Sequence, residues 1–125
     1  MAEEFDYRCK QAGQLASKMR FLSAPWVGML QDGAWLRYAR QANAMAAYLE
    51  KSLKGLSEVK ILFPRQANAV FVELPPKAIE GLWSRGWMFY NFIGKGGCRL
   101  MCAWDVTEHD VDEFVSDLKA LLKAK

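Results

Sequence analysis

Arg99 is the residue whose placement most suggests chemistry. It lies inside the apolar stretch 98–102, whose residue types are typical of a β-strand. Strand alternation puts Arg99 on the same face as Met101, opposite the two cysteines and the leucine of that stretch. A guanidinium there either meets solvent or forms a planar fork for a carboxylate. The pattern alone leaves both interpretations open.

The other groups capable of acid–base or nucleophilic chemistry do not form a catalytic set. His109 is the single histidine, and its position in the first turn of a predicted helix favours a solvated surface role. Asp105 and Glu108 could form an acid/base pair, but acids at the start of a helix are better explained by the helix dipole. Residues 94–97 (GKGG) lack the spacing of a phosphate-binding loop and predict a hairpin turn instead.

The cysteines argue against a metal site. Cys9, Cys98 and Cys102 form neither a CxxC pair nor an even disulfide set, and a structural zinc needs about four Cys or His ligands. We therefore expect reduced, packed thiols and no metal. We find no apolar run of about 20 residues and no signal-peptide pattern, so we expect a cytoplasmic protein with no membrane span.

Composition narrows the possible partners. The net charge is only +3, and the lysines and arginines are scattered, so we expect no nucleic-acid partner. Aromatic residues make up 13% of the 125 residues, with five tryptophans. A domain this small covers its core incompletely, which suggests that some of these rings pack against another domain or subunit.

The N-terminal pattern predicts a helix over residues 4–22. Arg20, near its end, reads by pattern as an ordinary solvated charge. Pro25 should break this helix and suits the first turn of the next one. A single narrow apolar stripe, of the kind that packs along another helix, is formed by Phe5, Cys9, Ala12, Ala16 and Met19.

The rest of the chain predicts an α+β fold with a small, mostly antiparallel sheet covered on one face by helices. A long helix over 33–54 has Asp32 as its N-cap, and a last helix has Thr107 as its N-cap with Asp110 reaching back. A short helix, which begins at Pro75 and Pro76, is predicted between the long helix and the last helix. Apolar runs predict strands over 59–63, 69–74, 88–93 and 98–104.

Four segments resemble low-specificity L-threonine aldolases and related β-eliminating lyases, in that family's order and spacing. They are residues 8–20 (RCKQAGQLASKMR), 35–46 (WLRYARQANAMA), 67–72 (ANAVFV) and 98–107 (CRLMCAWDVT). The resemblance spans nearly the whole chain and about the last third of a family member. It implies an interface helix segment over 1–24 and a small C-terminal domain over 25–125, with the large cofactor-binding domain absent.

The resemblance also implies an activity. Such lyases have the aminotransferase-like fold, work as dimers or tetramers, and cleave β-hydroxy-α-amino acids to glycine and an aldehyde. They use pyridoxal phosphate as the electron sink. By position, Arg99 matches the strand arginine that holds the α-carboxylate of the amino-acid substrate. Arg20 matches the arginine of a Met-Arg step that reaches the cofactor phosphate of the adjacent subunit.

Two departures from the family pattern limit what this chain does alone. Many members approach the Met-Arg step through glycines, whereas this chain has residues 16–19 (ASKM) there. The family's Schiff-base lysine follows a threonine in the large domain, and the only threonine here, Thr107, precedes Glu108. No catalytic residue is therefore assigned, the isolated chain is expected to be inactive, and Lys10 and Lys18 receive no role.

Two alternatives stay open at this stage. The chain could be the small domain of another pyridoxal-phosphate lyase or transaminase of the same fold, since the large domain sets much of the side-chain selectivity. It could also be a non-enzymatic interaction module or fragment that has kept the fold of a lyase small domain.

Overall fold

A computed structural model describes residues 3–94 and 96–123. The chain divides into two compact units, Met1–Trp35 and Leu36–Lys125. The boundary predicted between an interface segment and a small domain, at residues 24 and 25, stays a prediction. Five α-helices and four β-strands are present in the described ranges.

The first unit contains two helices, so the prediction of one continuous helix over residues 4–22 is wrong. Helix α1 covers Phe5–Gln11 and helix α2 covers Arg20–Leu30. Gly13 adopts a φ of 66°, its amide donates to Lys10, and the Gln14 amide donates to Cys9. This is the Schellman arrangement that ends a helix at a left-handed glycine.

The prediction that Pro25 breaks a helix is also wrong, because Pro25 lies inside α2. Pro25 is the sixth of the eleven residues of α2, so the proline occurs in the middle of the helix. There its missing N–H deprives only the Phe21 carbonyl of a helical partner. The helix therefore continues to Leu30.

The first unit buries none of its described residues. The predicted stripe is interrupted between the two helices, and its ends, Phe5 and Met19, are 62% and 52% exposed. This is more uncovered apolar surface than a free-standing unit usually exposes to water. The large apolar side chains exposed in it are Phe5, Tyr7, Leu15, Met19, Phe21, Leu22, Trp26, Val27, Met29, Leu30 and Trp35.

A one-turn 3-10 helix, Gln31–Gly33, precedes helix α3, which covers Ala34–Leu53. Asp32 has a left-handed φ of 55° in that turn. Its predicted role as the N-cap of the long helix stays a prediction. The helix itself is confirmed, with bounds close to the predicted 33–54.

The second unit contains a four-stranded antiparallel sheet in the order β1-β2-β4-β3. The strands are β1 (Lys60–Ile61), β2 (Ala69–Glu73), β3 (Tyr90–Ile93) and β4 (Gly97–Met101). Helix α4 covers Pro76–Ser84 and helix α5 covers Glu108–Lys123. The α+β fold with a small antiparallel sheet is thus confirmed. Gly94, in the predicted hairpin turn, has a φ of 59°, and Lys95 of that turn lies outside the described residues.

The helices of the second unit pack on one face of this sheet. Alternate residues of β2 and β4 point into that core, including Val70, Val72, Cys98 and Leu100. In the described part of the chain, the core formed with the helices lies on this one side, so the other face is the open face of the sheet. The helix residues of the core are Met45, Ala46, Leu49, Leu53, Ala78, Ile79, Leu82, Val111, Phe114, Val115 and Leu118.

The start of α5 confirms the predicted capping box. The amide of Thr107 donates to Asp110 Oδ2 at 2.8 Å, and its hydroxyl donates to the same oxygen at 2.6 Å. The amide of Asp110 in turn donates to Thr107 Oγ1 at 3.3 Å. Reciprocal bonds of this kind satisfy amides that have no partner inside the helix. They fix the start of α5 just after the sheet.

Farther along α5, Asp117 ties the helix to the loop after α4. Its carboxylate accepts a hydrogen bond from Trp87 Nε1 at 2.8 Å and forms an ion pair with Arg85. The Trp87 indole, followed by the Arg85 guanidinium, lowers the pKa of the Asp117 carboxyl because both favour its charged form.

We expect the Asp117 contacts to make stability depend on acid pH. A carboxyl whose pKa is lowered by folding contributes stability above its unfolded pKa, near 4, and loses it as the pH falls through the folded pKa. Asp117→Asn should therefore show a weaker loss of stability below about pH 4 than the unmodified chain. Urea denaturation from pH 7 to pH 3 measures this, with Asp105→Asn, at an exposed aspartate, as the control. Identical pH profiles for Asp117→Asn and the unmodified chain would contradict it.

Candidate functional site

The open face of the sheet, opposite the helices, carries Arg99. It lies in β4, paired with Phe71 of β2 on one side and with Tyr90 of β3 on the other. The Arg99 side chain is half-buried, whereas Cys98 and Leu100 on either side of it are buried. The alternation predicted from the sequence is thus confirmed at this strand.

Aromatic side chains lie on the same face as Arg99, and one of them contacts it. The guanidinium carbon of Arg99 lies 5.4 Å from the centroid of the Tyr90 ring, within the range of a cation–π contact. The Phe71 ring is 5.6 Å from that of Phe92 and 5.7 Å from that of Phe63, centroid to centroid. We call these four rings the aromatic row: two lie on β3, one lies on β2, and Phe63 lies in the segment after β1.

Within the described part of the chain, no carboxylate forms an ion pair with Arg99, whereas Arg8, Arg65 and Arg85 each pair with an acid. Glu73 lies on the same sheet face, two residues from Phe71 along β2, and is exposed. A guanidinium beside rings and without an acid keeps its planar set of N–H donors available. Its geometry suits bidentate binding of a carboxylate.

Arg20 lies in the first unit, as the first residue of α2. Its guanidinium carbon is 5.7 Å from the Phe21 ring centroid, and the side chain is exposed. Lys18, two residues earlier, adopts a left-handed φ of 59°. The amides at the start of a helix carry partial positive charge, so this end of α2 has the character of an anion site. The structure does not bring Arg20 and Arg99 together within one unit, and their roles stay predictions.

Three residues to which the sequence analysis gave no catalytic role lie on helices α1 and α5. His109 is exposed in the first turn of α5, and Glu108 is the first residue of that helix. Lys10 lies with its Nζ 5.9 Å from the Tyr7 ring centroid. Among the described residues, no hydrogen bond or ion pair joins any of these three side chains to another titratable side chain.

The cysteines of the second unit are core residues. Burial raises the pKa of the Cys98 thiol to about 11, and burial also raises the pKa of the Cys102 thiol. Thiols of this kind are poor nucleophiles and poor metal ligands. Across the described ranges, no three His, Cys, Asp or Glu side chains cluster as metal ligands do. Among the described residues, none of the helices combines the length and the hydrophobicity that a membrane span requires.

Tyr90 is the residue of this site that sequence reasoning missed. It was assigned to a strand-like run, and the hairpin turn predicted over 94–97 joins that run to the strand of Arg99, but the turn alone does not fix which residues pair across the two strands. The register also shifts between Asn91 and Ile93, which is a β-bulge. An exposed aromatic next to a hairpin signal was the only available hint.

Comparison with known proteins gives the chain close relatives. Over 124 residues, 99% of the chain, it is 55% identical to the low-specificity L-threonine aldolase of a Pseudomonas species and 56% identical to that of Pseudomonas aeruginosa. The match covers 36% of each relative. The chain therefore spans about a third of the length of the curated relatives that it matches. No protein-family model matches it.

A solved structure agrees with the sequence match. Threonine aldolase of Leishmania major superposes with a TM-score of 0.80 at 25% identity. The superposition covers 94% of this chain and 35% of that one. In both sequence and fold, the chain resembles the C-terminal part of the low-specificity L-threonine aldolases.

Proposed function

We propose that the chain is the C-terminal small domain of a pyridoxal-phosphate-dependent lyase that cleaves β-hydroxy-α-amino acids of the threonine type to glycine and an aldehyde. The observation that carries this proposal is the 55% identity to a low-specificity L-threonine aldolase over 99% of the chain. A match of that length includes the sheet, the helices and the segment of Arg20, so it does not rest on one motif.

In this function Arg99 binds the α-carboxylate of the substrate. Its place on the open sheet face, with no ion pair to a described acid, supports that role. Two parallel N–H···O bonds from a guanidinium fix both the position and the plane of a carboxylate. Fixing the carboxylate orients the bonds at the neighbouring Cα, and orientation of the bond to be cleaved is a large part of catalysis.

Arg20 is the residue of this chain that would hold the cofactor, through its phosphate. The exposed guanidinium at the start of α2 and the partial positive charge of the helix amides fit a phosphate dianion. Pyridoxal phosphate, when bound, supplies the electron sink for cleavage at Cα. No lysine of this chain directly follows a threonine, so the chain has no match for the family's Schiff-base lysine. Its proposed part in the reaction, through Arg20, is therefore binding of the cofactor and not bond cleavage.

The proposed assembly is a homo-oligomer in the cytoplasm. The exposed apolar side chains of the first unit support a subunit contact there, since so much apolar surface is rarely left in water. A neighbouring subunit that covers α1 and α2 would also bring Arg20 near a second copy's active site.

Substrate specificity of the full-length protein tests this function. We expect it to release glycine and an aldehyde from L-threonine, L-allo-threonine and phenylserine in the presence of pyridoxal phosphate. Coupled reduction of the aldehyde by an alcohol dehydrogenase measures the rate. Amino-group transfer to a 2-oxo acid, with no aldehyde released, would instead assign a transaminase of the same fold. The 125-residue chain assayed alone is the control and should release no aldehyde.

A further inference from the structure

We propose that Tyr90 is a positioning residue that holds the Arg99 guanidinium ready for a substrate carboxylate. This inference rests on the proposed function, because it takes Arg99 as the carboxylate-binding group. It adds a residue on a different strand whose side chain acts through Arg99.

The strand register places Tyr90 directly beside Arg99. The two residues form a Cα pair between β3 and β4, so their side chains leave the same face of the sheet at adjacent positions. The guanidinium carbon lies 5.4 Å from the Tyr90 ring centroid. On the other side, Phe71 is the direct partner of Arg99 on β2. The arginine thus lies between two aromatic neighbours on the open face.

A ring holds an arginine differently from an acid. An arginine has many rotamers, and an exposed one loses entropy when a ligand fixes it. A carboxylate partner would restrain the guanidinium but would occupy its N–H donors and offset its charge. A ring restrains it through its face and leaves the donors at the edge of the guanidinium plane available.

The charges around Arg99 agree with this interpretation. Glu73 is the acid of β2 on the same face, and it pairs with Gly97 rather than with Arg99. Within the described residues, Tyr90 is the one residue whose side chain makes a polar or π contact with the Arg99 side chain. Tyr90 itself is 69% exposed, so its ring has few other contacts that would explain its position.

The test uses the full-length lyase and compares Tyr90→Val with Tyr90→Phe. Valine keeps a residue suited to a strand but removes the ring, whereas phenylalanine keeps the ring and removes the hydroxyl. We expect Tyr90→Val to raise KM for L-threonine about tenfold with a smaller change in kcat. Tyr90→Phe should have the KM of the unmodified enzyme, because it keeps the ring. Phe92→Val is the matched control, because Phe92 is an exposed ring of the same strand that contacts Phe71 rather than Arg99.

Arg99→Ala separates this inference from the proposed function. If Tyr90 acts through Arg99, adding Tyr90→Val to Arg99→Ala produces no further rise in KM. A further tenfold rise would show that Tyr90 acts independently and would overturn the inference. If Arg99→Ala raises KM and Tyr90→Val does not, the inference fails while the proposed function stands. If Arg99→Ala leaves KM unchanged, the proposed role of Arg99 fails. Tyr90→Ile replaces Tyr90→Val if the valine variant does not fold.

Discussion

Replacement of Arg99 by alanine in the full-length lyase is expected to lower kcat/KM for L-threonine by about a hundredfold or more. The variant removes two charge-assisted hydrogen bonds to the substrate carboxylate, each worth roughly 1.5–3 kcal/mol. Steady-state kinetics over a range of threonine concentrations measure the loss. Most of it should appear as a rise in KM, because the carboxylate is bound in both the ground state and the transition state.

Arg99→Lys distinguishes the shape of the group from its charge. A lysine keeps the positive charge but cannot form the two parallel bonds of a guanidinium, so we expect it to recover only part of the lost affinity. Arg40→Ala, at an exposed arginine of α3, is the matched control for loss of an arginine. Threonine turnover by Arg99→Ala equal to that of the unmodified enzyme would contradict the assignment of this residue.

Replacement of Leu118 by alanine is expected to lower the free energy of unfolding of the second unit by about 2–5 kcal/mol. Leu118 lies on α5 and has no exposed surface, in a cluster that joins α5 to α4 and to the sheet. Its truncation leaves a cavity that the fixed backbone of the surrounding elements cannot fill. Urea denaturation followed by tryptophan fluorescence measures the change.

Leu36→Ala is the matched control for this core substitution. Leu36 also lies in a helix, α3, but it is 39% exposed, so the same change should cost less than about 0.5–1 kcal/mol. Equal losses at the two positions would mean that the core does not lie where the structure has it. A change in the slope of the unfolding free energy against urea concentration, with no change in the midpoint, would indicate that the substitution alters the native or the unfolded state.

The second unit was largely predictable from the sequence because its signals are local. Helix α5 has a capping box, Thr107 with Asp110, and apolar residues at helical spacing. Strands β2 and β3 are short runs with β-branched or aromatic residues that end within two residues of a proline or glycine, and β1 is shorter than the apolar run that predicted it. Tertiary packing here agrees with local preference.

The first unit was not predictable in the same way, because its breaks depend on single backbone conformations. Gly13 can end a helix or continue one, and only the left-handed conformation it adopts decides between them. The apolar stripe suggested one uninterrupted helix, and the turn between α1 and α2 leaves few cues in residue types. The unit also buries no described residue, so no core of its own restricts its path.

The candidate site was predictable in part. The position of Arg99 on the strand face opposite the core followed from alternation in β4. Its neighbour Tyr90 did not, because cross-strand partners depend on register, and a β-bulge beside this pair shifts the register of β3. The role of Arg20 came from the family resemblance alone, since the charge at the start of α2 has no distinctive pattern.

The burial of two cysteines has a practical consequence for fluorescence experiments. With a pKa of about 11, Cys98 is ionised in only about one molecule in 10⁴ at neutral pH, and Cys102 is shielded in the same core. Cys9, on α1, is the partly exposed thiol of the three. A maleimide dye added near pH 7 therefore labels the chain at α1 without an engineered cysteine, and its emission follows the environment of the first unit.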